Sequence, residues 1–362
     1  MKNRNFLFLA ATSLLGLASC VAKPAPSVAP ASSVAPASSE EEVIDTSNMV
    51  PVFVMAGQSN MQGNTRITPM YGGNTNYLKN WCTANEKDYN KFNSTGFEFI
   101  QHSYYGYYPY GGSINPYTSS TGSDKLAGKF VNTKAGQGLN NSCIGPELGI
   151  ADVLEEHANE DKPIYLIKDA ISGSGFKSQN NDKQKGMHLT WHTAADGVEE
   201  EGTKTLYDEL KQYTENCLRL IEDTGKQPVI RGFLWMQGET DSDTAQSAAD
   251  YATFESKMVE TFRNDFASYA FKEDGDNIAF IDALIYDGPN TQWKNHTILN
   301  DSKRAVSEES DNNFLIDTTV ATGLGLQLDQ QENGDQYHYS MDSMMKLGNA
   351  FADIILDNDL LI

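Results

Sequence analysis

The chain is short of basic residues and of cysteine. Of its 362 residues only 27 are Lys or Arg, against 49 Asp or Glu, giving a formal net charge of -22. A surface this negative repels phosphate backbones and anionic headgroups, which excludes nucleic acid and peripheral membrane binding by charge. Neutral ligands such as sugars are not disfavoured. Long hydrophobic runs are missing after the first residues, and a mean hydropathy of -0.48 excludes a polytopic membrane protein. Apolar residues are nonetheless plentiful: 39% hydrophobic and 10% aromatic against 21% charged is a globular composition, long enough for one large domain or two ordinary ones.

The first residues read as an address. Lys2 and Arg4 precede an apolar stretch from Phe6 to Leu17, which closes on Leu17-Ala18-Ser19-Cys20. This is a charged n-region, an h-region too short to span a bilayer, and a small-residue cleavage site. The ending resembles a bacterial lipobox, in which residues 1–19 are removed and Cys20 is lipidated. Two copies of Ser-Val-Ala-Pro-Ala-Ser follow at 27–32 and 33–38. With no bulky residue except Val they cannot build a core, so residues 20–48 are expected to be a tether. The implied location is extracytoplasmic, with the membrane reached only through the N-terminal lipid. Setting Cys20 aside leaves three of the four cysteines, so at most one disulfide can form. Cys217 falls in helical register with Leu206, Leu210, Tyr213 and Leu220, as a buried thiol would. Cys82 and Cys143 either pair or stay free.

From residue 49 the chain alternates two periodicities. Val50–Ala56, Pro163–Ala170, Val229–Met236, Ile278–Ile285 and Phe314–Thr318 are short apolar runs, as buried parallel strands require. Pro146–His157, Thr203–Asp223, Ala245–Ala270 and Ser340–Asn358 carry apolar residues at three- and four-residue spacing. This order predicts a doubly wound α/β sheet with ligand groups gathered at the strand C-termini. Two stretches, about 64–142 and 174–202, lack the rhythm and are expected to be insertions over the active face.

Chemistry-bearing residues stand at those strand ends. The first strand runs into Gly57-Gln58-Ser59-Asn60-Met61, where a strand-to-helix turn sets a Ser hydroxyl at the sheet edge. Asp335-Gln336-Tyr337-His338 precedes the last helix; an i, i+3 turn there lets Asp335 accept from His338 Nδ1–H and leaves Nε2 for the Ser. In Trp235-Met236-Gln237-Gly238-Glu239-Thr240-Asp241, Gln237 could donate to a developing oxyanion or simply brace a loop, and Glu239 could orient its neighbours.

These blocks, together with Gly145-Pro146-Glu147, resemble the SGNH-hydrolase group that contains carbohydrate esterase family six and the sialate O-acetylesterases. The resemblance covers residues from about 50 to 358 and implies a three-layer α/β/α, flavodoxin-like fold across an esterase domain at 49–362. It implies acetyl ester hydrolysis with Ser59 as nucleophile, His338 as general base and acid, and Asp335 as its orienter. The oxyanion donors would be the N–H groups of Ser59 and Gly173 and the Gln237 amide, with Gln58, Asn60 and Glu239 in support. No metal or organic cofactor is needed. In Lys168-Asp169-Ala170-Ile171-Ser172-Gly173-Ser174 the chain departs from the family's usual Gly-Gly-Thr, with Ser172 in place of the first Gly.

The first insertion carries Tyr71, Tyr77, Tyr89, Tyr104, Tyr105, Tyr107, Tyr108, Tyr110 and Tyr117 besides Trp81, rings that suit either a sugar face or a lid packed on itself. His188 and His192 flank Trp191 without a clear third metal ligand, so a substrate-facing or structural role is preferred for them. The expected partner is an acetylated glycan or a small-molecule ester. A sugar-binding lipoprotein with a vestigial site is the alternative, and an SGNH esterase acting on other esters is a weaker one.

Overall fold

The computed structural model describes residues 44–104, 129–176, 190–196, 205–289, 291–330 and 333–362, of which those from Asp45 onward fall in one compact unit. The signal-like segment, Cys20, the Ser-Val-Ala-Pro repeats, His188 and the tyrosines between 105 and 117 lie outside the described residues.

Seven strands form the main sheet: β1 (Met49–Gly57), β3 (Phe97–Tyr104), β4 (Lys129–Thr133), β6 (Ile164–Ala170), β7 (Gln227–Met236), β8 (Ala279–Ala283) and β9 (Asn313–Ile316). Their order is β4-β3-β6-β1-β7-β8-β9. All neighbouring pairs are parallel except the edge pair β3–β4. A separate antiparallel ribbon joins β2 (Thr65–Arg66) to β5 (Cys143–Ile144). The helices are α1 (Ser59–Gln62), α2 (Tyr77–Ala84), α3 (Glu147–Leu154), α4 (Leu206–Glu222), α5 (Ala245–Asp265), α6 (His296–Ser307) and α7 (Met341–Asp357). This is the expected α/β architecture with a mainly parallel sheet.

Strand β1 is central because it can be buried on both faces. Val50, Val52, Phe53, Val54, Met55 and Ala56 are fully enclosed, the continuous apolar run that a parallel core strand needs. Pro51 is tolerated since pairing with β6 starts only at Val52, so its missing N–H costs no bond on that side. The chain reverses its winding at β1, between β6 and β7, which is where a doubly wound sheet opens a crevice. Helix α4 begins in a capping box: the Thr205 side chain accepts from the Asp208 N–H and the Asp208 carboxylate accepts from the Thr205 N–H. The Cys217 thiol is fully buried on that helix, as its register predicts.

Two expectations are corrected and one left open, the state of Cys82 and Cys143, is decided. The stretch 64–142 is not wholly an insertion, because β3 and β4 within it extend the main sheet. Cys82 on α2 and Cys143 on β5 are separate, buried, free thiols, and burial is the main reason both are pushed above the ordinary thiol range. Helix α6, from His296 to Ser307, is additional to the helices expected from the pattern.

Helix α6 carries a fully buried Lys303, 2.5 Å from Asp282 on β8 and 3.6 Å from Glu255 on α5. Burial drives the Glu255 carboxyl up, the Asp282 charge adds to this and Lys303 opposes it, leaving the group at about 8. The folded chain thus keeps a proton that an unfolded glutamate, near ~4.3, has already released. Stability from this group is present below that lower value and is lost as pH rises toward 8. The thermal midpoint is expected to fall between about pH 5 and about pH 8, and to fall less steeply in Glu255→Gln. A parent midpoint that climbs across this interval would contradict the assignment.

Candidate active site

The site is assembled by the end of β1. Gly57 sits at φ 141°, and a Cβ there would lie 2.1 Å from the Met236 carbonyl oxygen, so only glycine lets β1 and β7 close at this level. The next three residues each turn to a different element. Gln58 faces β7, its Oε1 accepting from Gln237 Nε2 (3.0 Å) and from the Thr240 N–H (3.2 Å). Ser59 starts α1 and lines a cleft of about 450 Å³. Asn60 turns to the C-terminal loop: its Nδ2 donates to Glu239 Oε1 (2.8 Å) and the Tyr337 carbonyl (3.4 Å), and its Oδ1 accepts from the Tyr339 N–H (3.3 Å).

That loop delivers the Asp335–His338 pair. Asp335 Oδ1 accepts from the N–H groups of Tyr337 and His338, which folds the turn, and Oδ2 accepts from His338 Nδ1 at 2.7 Å. Burial works to raise the Asp335 pKa, but the His338 hydrogen bond and charge and the two backbone donors outweigh it and hold the group below the ordinary carboxylate range. Asp335 thus stays ionised at neutral pH and selects the tautomer with its proton on Nδ1, which leaves Nε2 a base. His338 lines the same cleft as Ser59.

Gly173, at φ 72° after β6, also lines the cleft. Ser172, the departure from the family pattern, donates its hydroxyl to Gln62 Oε1 (2.6 Å) and accepts from Asn64 Nδ2 (2.9 Å), so it ties the β6 loop to α1. Beneath α1, the buried Lys168 pairs with Glu147 (2.8 Å) and donates to the carbonyls of Gln62 and Gln137. Glu239 is buried in the cleft wall. Burial raises its pKa against the Asn60 hydrogen bond and the Lys303 and His338 charges, and its Oε2 has no hydrogen-bond partner among the described residues.

The structure thus brings Ser59, His338, Asp335, Gly173, Gln58, Asn60 and Glu239 together. It corrects the placement of Gln237. That residue is fully buried, and its Nε2 donates inward to Gln58 Oε1, the Ser174 carbonyl (3.1 Å) and Asp241 Oδ2 (2.9 Å), so no hydrogen is left for a ligand. His192 pairs with Asp196 (3.3 Å) and packs edge-on against Phe254, away from the cleft, in a structural role. Asn64, Ser172, Trp293 and the Lys168–Glu147 pair were not singled out as site residues. Trp293 stands edge-on to the half-exposed Tyr337, forming an aromatic wall beside His338. The signal for Tyr337 lay in its place directly before the His.

A family described as carbohydrate esterase, sialic acid-specific acetylesterase, matches residues 49–357. The chain belongs to this carbohydrate esterase family. Its fold is shared with a crystallographically solved Arabidopsis thaliana protein, at 16% identity and TM-score 0.52 over 85% of this chain and 98% of that one. It is shared as well with NanS, at 17% identity and TM-score 0.53 over 87% and 99% of the two chains. No curated protein matches the esterase.

Replacing Asp335 with Asn keeps the turn acceptor but removes the charge and leaves Nδ1 beside an amide. The strongly downfield Nδ1–H proton resonance expected of the parent should be lost, and kcat for a simple acetate ester should drop by roughly 10²- to 10⁴-fold. Equal rates in the two proteins would take Asp335 out of the site.

Proposed function

We propose that this chain is a serine esterase that removes O-acetyl groups from carbohydrate through an acyl-enzyme. The 2.7 Å His338–Asp335 contact, beside Ser59 in one cleft, carries the reading. Ser59 Oγ attacks the acetyl carbonyl carbon while His338 Nε2 takes its proton. The tetrahedral intermediate collapses, the bond to the sugar oxygen breaks, and His338 returns the proton to that oxygen. Water, deprotonated by the same Nε2, then releases acetate and restores Ser59. The backbone N–H groups of Ser59 and Gly173 would hold the oxyanion. A binder would have no use for an ionised carboxylate orienting a His beside a Ser, which disfavours the vestigial-site alternative.

The cleft wall supports a neutral sugar as the leaving group. Among the described lining residues the carboxylic acids are Glu239 and Asp243 and there is no Lys or Arg, with Trp293 and Tyr337 offering flat apolar faces. A free sialic acid carboxylate would approach two acids there. Ser59→Ala should abolish acetate release from every ester while the fold is kept. Across a panel of acetylated xylo-oligosaccharides and O-acetylated sialic acid, kcat/KM should favour the neutral sugars, and methyl esterification of the sialic acid should raise its rate at low salt. A Ser59→Ala protein with most of its activity would end the nucleophile assignment; an unchanged rate on esterification would end the charge argument.

We also propose that Cys20 is lipidated and that the segment after it tethers the esterase to an extracytoplasmic membrane face. The Leu17-Ala18-Ser19-Cys20 ending supports this. Cys20→Ala should free the enzyme from membranes or block its processing, and unchanged membrane recovery after a high-salt wash would contradict it.

A further inference from the structure

Counting donors and acceptors around Gln58 leaves one hydrogen-bonding group unassigned. The Thr240 backbone N–H can only donate, so the atom of Gln58 that receives it is Oε1, and Nε2 must lie on the other side of the amide. Gln58 lines the cleft next to Ser59. Among the described residues no acceptor stands against its Nε2, and that atom is not sealed from the cleft. The amide cannot turn over. Gln237 Nε2 holds Oε1, and Gln237 is fixed by the Ser174 carbonyl, by Asp241, and by Tyr251, whose hydroxyl donates to Gln237 Oε1 at 2.8 Å. Burial, followed by the charges of Glu255, Asp282 and Asp241, pushes the Tyr251 phenol well above its ordinary value, so it remains a donor.

We infer that Gln58 Nε2 is the side-chain donor to the oxyanion, acting beside the N–H groups of Ser59 and Gly173, and that Gln237 and Tyr251 are positioning residues that aim it. The inference rests on the acyl-transfer reading above. As Ser59 Oγ bonds to the acetyl carbon, the carbonyl π pair moves onto oxygen, and the Gln58 N–H bonds to that charge without giving up its proton. When the intermediate collapses the pair returns and the ester C–O bond breaks. A donor already locked in place strengthens as charge develops and needs no reorganisation.

Gln58→Glu isolates the donor, since it keeps shape and the acceptor for Thr240 and Gln237 while replacing Nε2 with oxygen. Gln58→Met removes the polarity without adding charge and serves if the Glu variant fails to fold. At the alkaline plateau of the rate profile, kcat should fall by about 10²- to 10³-fold with KM shifted less than about threefold, equally for a sugarless aryl acetate and an acetylated xylo-oligosaccharide. Tyr251→Phe should lower kcat less, and its effect should vanish in the Gln58→Glu background. Full activity of Gln58→Glu, a defect in KM alone, or a defect limited to the sugar ester would overturn the inference. Those results with an inactive Ser59→Ala protein defeat this inference alone, whereas an active Ser59→Ala protein defeats the acyl-transfer reading itself.

Discussion

The approach of the Met236 carbonyl to Gly57 sets where the groups that follow β1 stand in the cleft. No Cβ fits between them, so β1 and β7 end side by side, with β6 on the other flank of β1. The next three side chains then have one element each to reach: Gln58 takes β7, Ser59 the open cleft and Asn60 the C-terminal loop. A side chain at position 57 would not merely crowd one contact; it would part the strands whose ends carry Gln237 and Ser59. The Ser172 bridge and the Lys168–Glu147 pair then hold α1 from beside and below. Lys168 of this buried pair also donates to the Gln62 and Gln137 carbonyls, and Glu147 accepts from the Gly145 N–H, so neither charge rests on the ion pair alone.

Much of this was legible because it is local or periodic. Strands β1, β6, β7, β8 and β9 announce themselves as mainly apolar runs, α4 by its spacing, and the Asp335–His338 contact follows from a single turn. Strand β3 was hidden for a physical reason: in Phe97-Glu-Phe-Ile-Gln-His-Ser the apolar residues are diluted by polar ones, and much of its pairing is with an edge strand inside a stretch rich in Asn and Tyr. Gln237 was misplaced for another reason. A strand-end amide looks the same in sequence whether it faces a ligand or faces inward, and only the positions of Ser174 after β6, Asp241 in the same loop and Tyr251 on the following helix decide it. The partners of Ser172 are equally non-local, since Gln62 lies 110 residues away.

Acidity outside the site and acidity within it do different work. The net charge of -22 bears on which partners approach. Asp335, by contrast, is held ionised by four short-range effects and fixes one proton on one nitrogen. Glu239 is buried with a raised pKa and anchors Asn60, whereas Glu255 and Asp282 share Lys303 deep between helix and sheet. The same carboxyl group thus serves as an orienter, a staple and a core group according to its hydration and its nearest donor.

The Asn60 staple joins residues 279 positions apart, from near the start of the sheet to its last loop. During synthesis the Ser59 turn leaves the ribosome long before His338 and Tyr339 exist, and the Asn60 amide has no loop to hold until those residues have been made. The cleft that Ser59 and His338 share is therefore completed only when the C-terminal loop has been made, so a chain cut short before residue 338 would carry the Ser59 turn without the imidazole that faces the same cleft.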